Sequence, residues 1–151
     1  MTIRNMTEQD AKAICSWQYP NEYAIYNLGY WNDIIKKNYS ITNPDKRIKE
    51  YRSVYDNNDL IGYFRFKEDG NKIILGLGIK PDLCGNGLGK AFLNFILNSH
   101  ELKNKLIELE VRTFNKRAIK SYLNAGFIII KQMEKNTQSV KDTFIVMQKD
   151  N

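Results

Sequence analysis

The sequence predicts an α/β (α+β) fold, one mostly antiparallel mixed sheet of about six to seven strands flanked by about four helices. Three observations predict it. Apolar periodicity alternates between two and 3.6 residues in the order strand, helices, three strands, helix, strand, helix, two strands. Clusters of Asn, Asp and Gly at residues 56–59 and 69–71 mark tight reversals, as in an antiparallel meander. A glycine-rich stretch at residues 85–89 joins a strand to an amphipathic helix.

The elements follow in order. Residues 2–5 form a short strand. Thr7 opens a helix, with Asp10 three residues on as a capping box and Ala11, Ile14 and Cys15 as its buried stripe. Residues 31–38 suit a second short helix, and residues 40–46 read as a loop around Pro44. Residues 50–56, 60–67 and 72–79 are strands. In the second of these Leu60, Gly62, Phe64 and Phe66 share one face, and Ile61, Tyr63 and Arg65 the other. Gly76 and Gly78 inside the third mark a bulge or a close backbone neighbour. A helix runs from residue 87 to about 99 with Leu88, Ala91, Phe92, Phe95 and Ile96 on one stripe. A strand at 105–111, a helix at 115–125 stopped by Gly126, and strands at 127–134 and 143–148 close the chain.

The 151 residues suit one domain, residues 1–151, with a core of its own. A hydrophobic fraction of 42% and a charged fraction of 26% are those of a soluble globular protein. No apolar run approaches the ~20 residues of a membrane helix. The first ten residues carry early acids and no long apolar core, unlike a signal peptide. Cys15 and Cys84 lie far apart without metal-ligand spacing, so free thiols in a cytoplasmic protein are expected, with no metal site. The net charge of +6 favours an anionic ligand, but the basic residues are dispersed, which argues against nucleic acid as a partner.

Gly85, Gly87 and Gly89 stand where a helix begins. Glycine lets a ligand approach the backbone, and the first N–H groups of a helix carry positive field, so the loop is a seat for phosphate. Two phosphate patterns fail. G-x-x-x-x-G-K-S/T would place its first Gly on Cys84 and its Ser/Thr on Ala91. G-x-G-x-x-G would require Gly at Lys90 or at Phe92. The stretch Cys84-Gly85-Asn86-Gly87-Leu88-Gly89 resembles the acetyl-coenzyme A loop of the GNAT N-acetyltransferases, Gln/Arg-x-x-Gly-x-Gly/Ala, with Pro81 at the usual turn and Cys84 replacing the first residue. Residues 110–127, EVRTFNKRAIKSYLNAGF, resemble the family's second motif in their Asn, Ala, Tyr and Gly-Phe, and residues 3–11 resemble its opening strand and helix entry.

The resemblance implies direct attack of a primary amine on the thioester of acetyl-coenzyme A in a ternary complex. Backbone N–H groups over Gly85, Asn86, Gly87, Leu88, Gly89 and Lys90 would hold the pyrophosphate, so loss of the Gln/Arg side chain at Cys84 removes one contact and not the seat. Leu77, Gly78 and Ile79 match the strand that pairs with the pantetheine arm, and an N–H of that strand would face the developing oxyanion. Asn115 and Ala118 match cofactor contacts. Tyr122 matches the general acid that protonates the leaving thiolate, against the plain reading of a core tyrosine. Glu110 matches the base of the family's ribosomal-protein N-terminal acetyltransferases, while a solvated strand-edge acid and a water chain are the alternatives. Cys84 reads as a small loop residue rather than a nucleophile, and His100 as a helix-end charge.

The acceptor, a small molecule or a protein or peptide amine, is not specified by any motif. Trp17, Tyr19, Tyr23, Tyr26 and Trp31 crowd one window, as a substrate wall or as sheet packing. A monomer or a homodimer, without membrane contact, is expected. A GNAT-fold sensor that holds coenzyme A without turnover is the alternative function.

Overall fold

The computed structural model describes residues 1–137 and 140–151. Seven strands form one mixed sheet: β1 (Thr2–Asn5), β2 (Tyr51–Asp56), β3 (Asp59–Asp69), β4 (Lys72–Ile79), β5 (Leu106–Arg112), β6 (Ile128–Thr137) and β7 (Val140–Asp150). Their order is β1-β2-β3-β4-β5-β7-β6. The β1–β2, β2–β3, β5–β7 and β6–β7 pairs are antiparallel, and β4–β5 is parallel. The α-helices are α1 (Glu8–Cys15), α2 (Trp31–Lys36), α3 (Pro44–Glu50), α4 (Leu88–Leu97) and α5 (Lys116–Asn124). The expected α/β class, strand content and element order therefore hold.

Three differences have local causes. Residues 44–50 are helical, not loop: Asn43 caps them by accepting from the Lys46 N–H at 3.0 Å, and Pro44 occupies the first turn, where a missing N–H costs nothing. Residues 21–26 form a 3₁₀ turn inside the aromatic window. On α4, Ala91 is exposed while Leu93 and Leu97 are buried with Phe92 and Ile96, so the apolar stripe is rotated from the expected one.

The chain packs as two compact units, Met1–Arg65 with Leu77–Leu88, and Phe66–Gly76 with Gly89–Asn151. In the first, Met6, Ala11, Ile14, Cys15, Trp17, Ile34, Ile41 and Tyr51 form the core. The capping box of α1 is complete: the Asp10 N–H donates to Thr7 Oγ1 at 3.0 Å, and the Thr7 N–H donates to Asp10 Oδ2 at 3.1 Å. Asp10 is buried. Its carboxylate also accepts from Ser53 Oγ at 2.9 Å and from the Tyr55 hydroxyl, so the charge keeps its hydrogen bonds and ties α1 to β2. In the second unit, Phe92, Ile96, Leu102, Ile107, Leu109, Phe127 and Met147 are buried. Asn151 fastens the chain end there, donating from Nδ2 to the carbonyls of Leu97 (2.7 Å) and Leu102 (2.8 Å).

Candidate active site

In the first unit the candidate site begins on the edge of β4. The parallel ladder with β5 pairs only Lys72–Ile74 with Leu106–Glu108, and β4 runs on to Ile79. The Lys80 N–H donates to the Ile61 carbonyl at 2.9 Å, toward β3. Backbone groups alternate along a strand, so those of Leu77 and Ile79 point the other way, on the side of β4 where the ladder with β5 has ended. These are two of the three positions expected to meet a pantetheine arm. The Ile79 carbonyl is already used: it accepts from the Tyr19 hydroxyl at 2.8 Å and from the Cys84 thiol at 3.6 Å. The third, Gly78, lies against the ring of Tyr63; a Cβ there would stand 2.6 Å from Tyr63 Cε1. Of the two readings of this glycine, the close neighbour is the one observed, and that neighbour is a side chain of β3.

After β4 a 3₁₀ turn at Pro81–Leu83 is closed by the Leu83 N–H to Lys80 O at 2.9 Å and the Cys84 N–H to Pro81 O at 3.1 Å. The backbone then passes twice through the left-handed region, at Gly85 (φ 82°) and Gly87 (φ 79°), before α4 starts at Leu88. Left-handed residues spaced this way turn successive N–H groups toward one side, an anion-binding concavity. A Cβ on Gly87 would meet nothing within 4 Å, so glycine is required for its conformation, and the space above it is open. The first turn of α4 has no acidic residue and carries Gly89 and Lys90. Its leading N–H groups have no acceptor within the helix. These features fit the pyrophosphate of coenzyme A. The Cys84 thiol, half-buried, also donates to the Lys80 carbonyl at 3.6 Å, so it braces the turn in the place of a long polar side chain. Asn86 is exposed.

The aromatic window divides. Trp17 is core, with its ring 6.2 Å from that of Tyr63. Tyr19 serves the β4 edge, and its N–H donates to Asn27 Oδ1 at 2.7 Å. Burial, then the neighbouring Tyr63 and Cys84, push the Tyr19 pKa above that of an ordinary phenol, so it stays a donor. Trp31 is half-buried under its own chain's cations, Lys12 Nζ at 5.6 Å and Arg47 Cζ at 6.0 Å from the ring centre. Tyr23 and Tyr26 stack at 6.5 Å and keep part of their rings accessible. The packing reading thus applies to Trp17, and the two tyrosines of the 3₁₀ turn retain surface for a ligand.

In the second unit Asn115 caps α5, its Oδ1 accepting the Ala118 N–H at 3.2 Å. The C-terminus is a Schellman motif: the Phe127 N–H donates to Tyr122 O at 3.0 Å, the Gly126 N–H to Leu123 O at 3.1 Å, and Gly126 takes φ 97°. Phe127 is buried and meets the Tyr122 ring edge-on at 5.7 Å. The Asn, Ala, Tyr and Gly-Phe positions are therefore one device that starts the helix, stops it, and fixes the half-buried Tyr122. On β5, Glu108 and Glu110 share a face, as expected from their spacing. Glu108 Oε1 accepts from Lys72 Nζ at 3.1 Å and Gln148 Nε2 at 2.9 Å. Burial raises its pKa, but these hydrogen bonds and the charges of Lys72 and Lys131 outweigh that and leave it lowered. Glu110 is paired with Lys135 on the exposed side.

Among the described residues no group of His, Cys, Asp and Glu could hold a metal ion, and no helix is long and apolar enough to cross a membrane.

Comparison with known proteins adds the following. The family model "Acetyltransferase (GNAT) family" matches residues 9–127. A spermidine N-acetyltransferase chimera from Vibrio cholerae and hSSAT has a similar fold, with TM-score 0.74 and 19% identity over 98% of this chain and 94% of that one. A ribosomal-protein-alanine N-acetyltransferase from Brucella melitensis gives TM-score 0.70 and 18% identity over 100% of both chains. A putative acetyltransferase from Salmonella typhimurium, solved with its cofactor acetyl-CoA, gives TM-score 0.68 and 20% identity over 99% and 92%. No curated protein matches the chain by sequence.

Proposed function

The chain belongs to the GNAT acetyltransferase family, and from that premise we propose that it moves an acetyl group from acetyl-coenzyme A to a primary amine by direct attack in a ternary complex. The observation that carries this reading is the loop at residues 85–90. Its glycine conformations and acid-free helix start suit a pyrophosphate, and the neighbouring edge of β4 has backbone groups directed outward.

Coenzyme A supplies the acetyl group as a thioester and leaves as a thiolate. Gly85, Asn86, Gly87, Leu88, Gly89 and Lys90 hold the pyrophosphate through backbone N–H groups and the field of α4. Leu77 offers its outward backbone groups and Ile79 its N–H to the pantetheine arm, with Gly78 between them on the strand. Cys84 supports this seat by bracing the turn. Asn115 and Ala118 set the start of α5, and Tyr122 donates its phenolic proton to the leaving sulfur. Glu110, released from Lys135, or a water chain takes the proton of the attacking amine. Tyr23 and Tyr26 line the approach of the acceptor, behind which Trp17, Tyr19 and Trp31 form the packed wall. The enzyme acts in the cytoplasm, on an acceptor of the kind named for its structural neighbours: a polyamine such as spermidine, or the amino terminus of a protein.

The test is thiol release from acetyl-coenzyme A over spermidine, an alanine-terminated peptide, amino sugars and small amines. Turnover with at least one acceptor is expected. Tight cofactor binding with silence across the panel would replace the enzyme by a sensor.

A further inference from the structure

Tyr63 of β3 was not singled out by its sequence, and its setting is unusual. Its ring edge from Cδ1 to Cζ lies close against Gly78, where a Cβ would stand 2.6 Å from Cε1 and 3.2 Å from Cζ. Only glycine permits this approach. Trp17 holds the ring from another side at 6.2 Å and a 44° tilt. Three tyrosines of the same unit spend their hydroxyls on the protein: Tyr19 on Ile79 O, Tyr51 on Ser40 Oγ and Tyr55 on Asp10. The Tyr63 hydroxyl makes no hydrogen bond to any described residue, and the side chain is only partly covered. A hydroxyl on a ring set between Trp17 and Gly78, with no partner among the described residues, is available to a group from outside the chain.

We propose that Tyr63 is a substrate-binding residue whose hydroxyl oxygen accepts a hydrogen bond from the N–H of the primary amine, holding that amine beside β4 at Gly78. The inference rests on the acetyl-transfer reading and names the acceptor's anchor within it. The chemistry suits a phenol. An attacking amine must point its lone pair at the carbonyl carbon, so its N–H bonds need acceptors set to the side. A carboxylate there would favour the unreactive ammonium. A neutral hydroxyl accepts the N–H without that penalty. Burial, then the neighbouring Tyr51 and Cys15, raise the Tyr63 pKa above the ordinary phenol value, which keeps it neutral at physiological pH.

Two measurements test this. In Tyr63→Phe the ring and its contact with Gly78 remain, so the fold is retained. With spermidine and with an alanine-terminated peptide as acceptors, KM for the amine should rise by about 10-fold, with kcat and KM for acetyl-coenzyme A within about 3-fold of the parent. An unchanged amine KM, or a loss confined to the acetyl-coenzyme A KM, would overturn the assignment. The second measurement does not need turnover. The ζ-carbon resonance of Tyr63, in protein made with carbon-13 labelled tyrosine and assigned by its absence from Tyr63→Phe, should move when either amine is titrated into the coenzyme A-saturated protein. A resonance that stays fixed with both probes would overturn the proposal. A resonance that moves in a protein without thiol release would uphold it while removing acetyl transfer itself.

Discussion

Two glycine motifs, one in each compact unit, do opposite work. At residues 85–87 two left-handed glycines shape the backbone, and the contact proposed there is made by backbone N–H groups without a side chain. At residue 126 a left-handed glycine ends α5, and what it delivers is a side chain: the Schellman bonds and the Phe127 ring fix Tyr122. A function made of backbone would tolerate side-chain change, and on the proposed reading Cys84 can stand where the resemblance leads one to expect Gln or Arg. A function made of one hydroxyl would not.

Substitutions should separate the two motifs. The largest effect is expected for Tyr122→Phe, which keeps the ring packed on Phe127 and removes the proton donor. Its kcat should fall by about 100-fold with little change in acetyl-coenzyme A affinity; turnover at the parental rate would return Tyr122 to a packing role. Next comes Gly87→Ala. The new Cβ meets nothing, yet φ 79° is costly for alanine, by roughly 1–3 kcal/mol. Either that strain appears as a lower melting temperature or the loop relaxes and cofactor affinity falls by about 10-fold, and calorimetry with acetyl-coenzyme A reads both. Gly126→Ala carries the same backbone strain at φ 97° and is expected to destabilise the fold by about 1 kcal/mol while sparing cofactor affinity. Chemical denaturation checks this. Smallest is Cys84→Ala, which removes two long thiol contacts and should change acetyl-coenzyme A affinity by less than about 2-fold.

The two cysteines offer a related check. Burial pushes the Cys15 thiol up to about 11, so at pH 7.5 it remains protonated and enclosed. Thiol labelling of the native protein followed by peptide mapping should modify Cys84 and leave Cys15 intact until the chain is unfolded. Fast labelling of Cys15 would contradict the packing of the first unit.

What could be read from the residues alone was whatever a local pattern encodes. The Thr7–Asp10 capping box, the helix over 115–125 with its Gly126 stop and the Gly85–Gly89 loop each depend on neighbours within a few positions, and each is found where the pattern puts it. The Asn43-Pro44 start of α3 carried the same kind of signal. The loop expected at residues 40–46 gives way there to a short helix whose one buried residue is an arginine, Arg47, which leaves no apolar stripe to mark it. The Tyr63–Gly78 contact and the Tyr19 bond to Ile79 were out of reach for another reason. They depend on which strands pair and in what register, and on where a loop returns to the sheet, which no periodicity records. The aromatic window was visible as a cluster, but the division of its rings between core and surface follows from the 3₁₀ turn at Asn21–Tyr26, a conformation without a strong sequence signature.

The central claim is that backbone N–H groups at residues 85–90 hold a pyrophosphate. Calorimetric titration of the native protein with acetyl-coenzyme A and with S-acetyl-pantetheine, which has the same thioester arm and no pyrophosphate, tests it most directly. Acetyl-coenzyme A is expected to bind at least about 100-fold more tightly, as removing several charge-assisted hydrogen bonds requires. Equal affinities, or no binding of acetyl-coenzyme A, would contradict it.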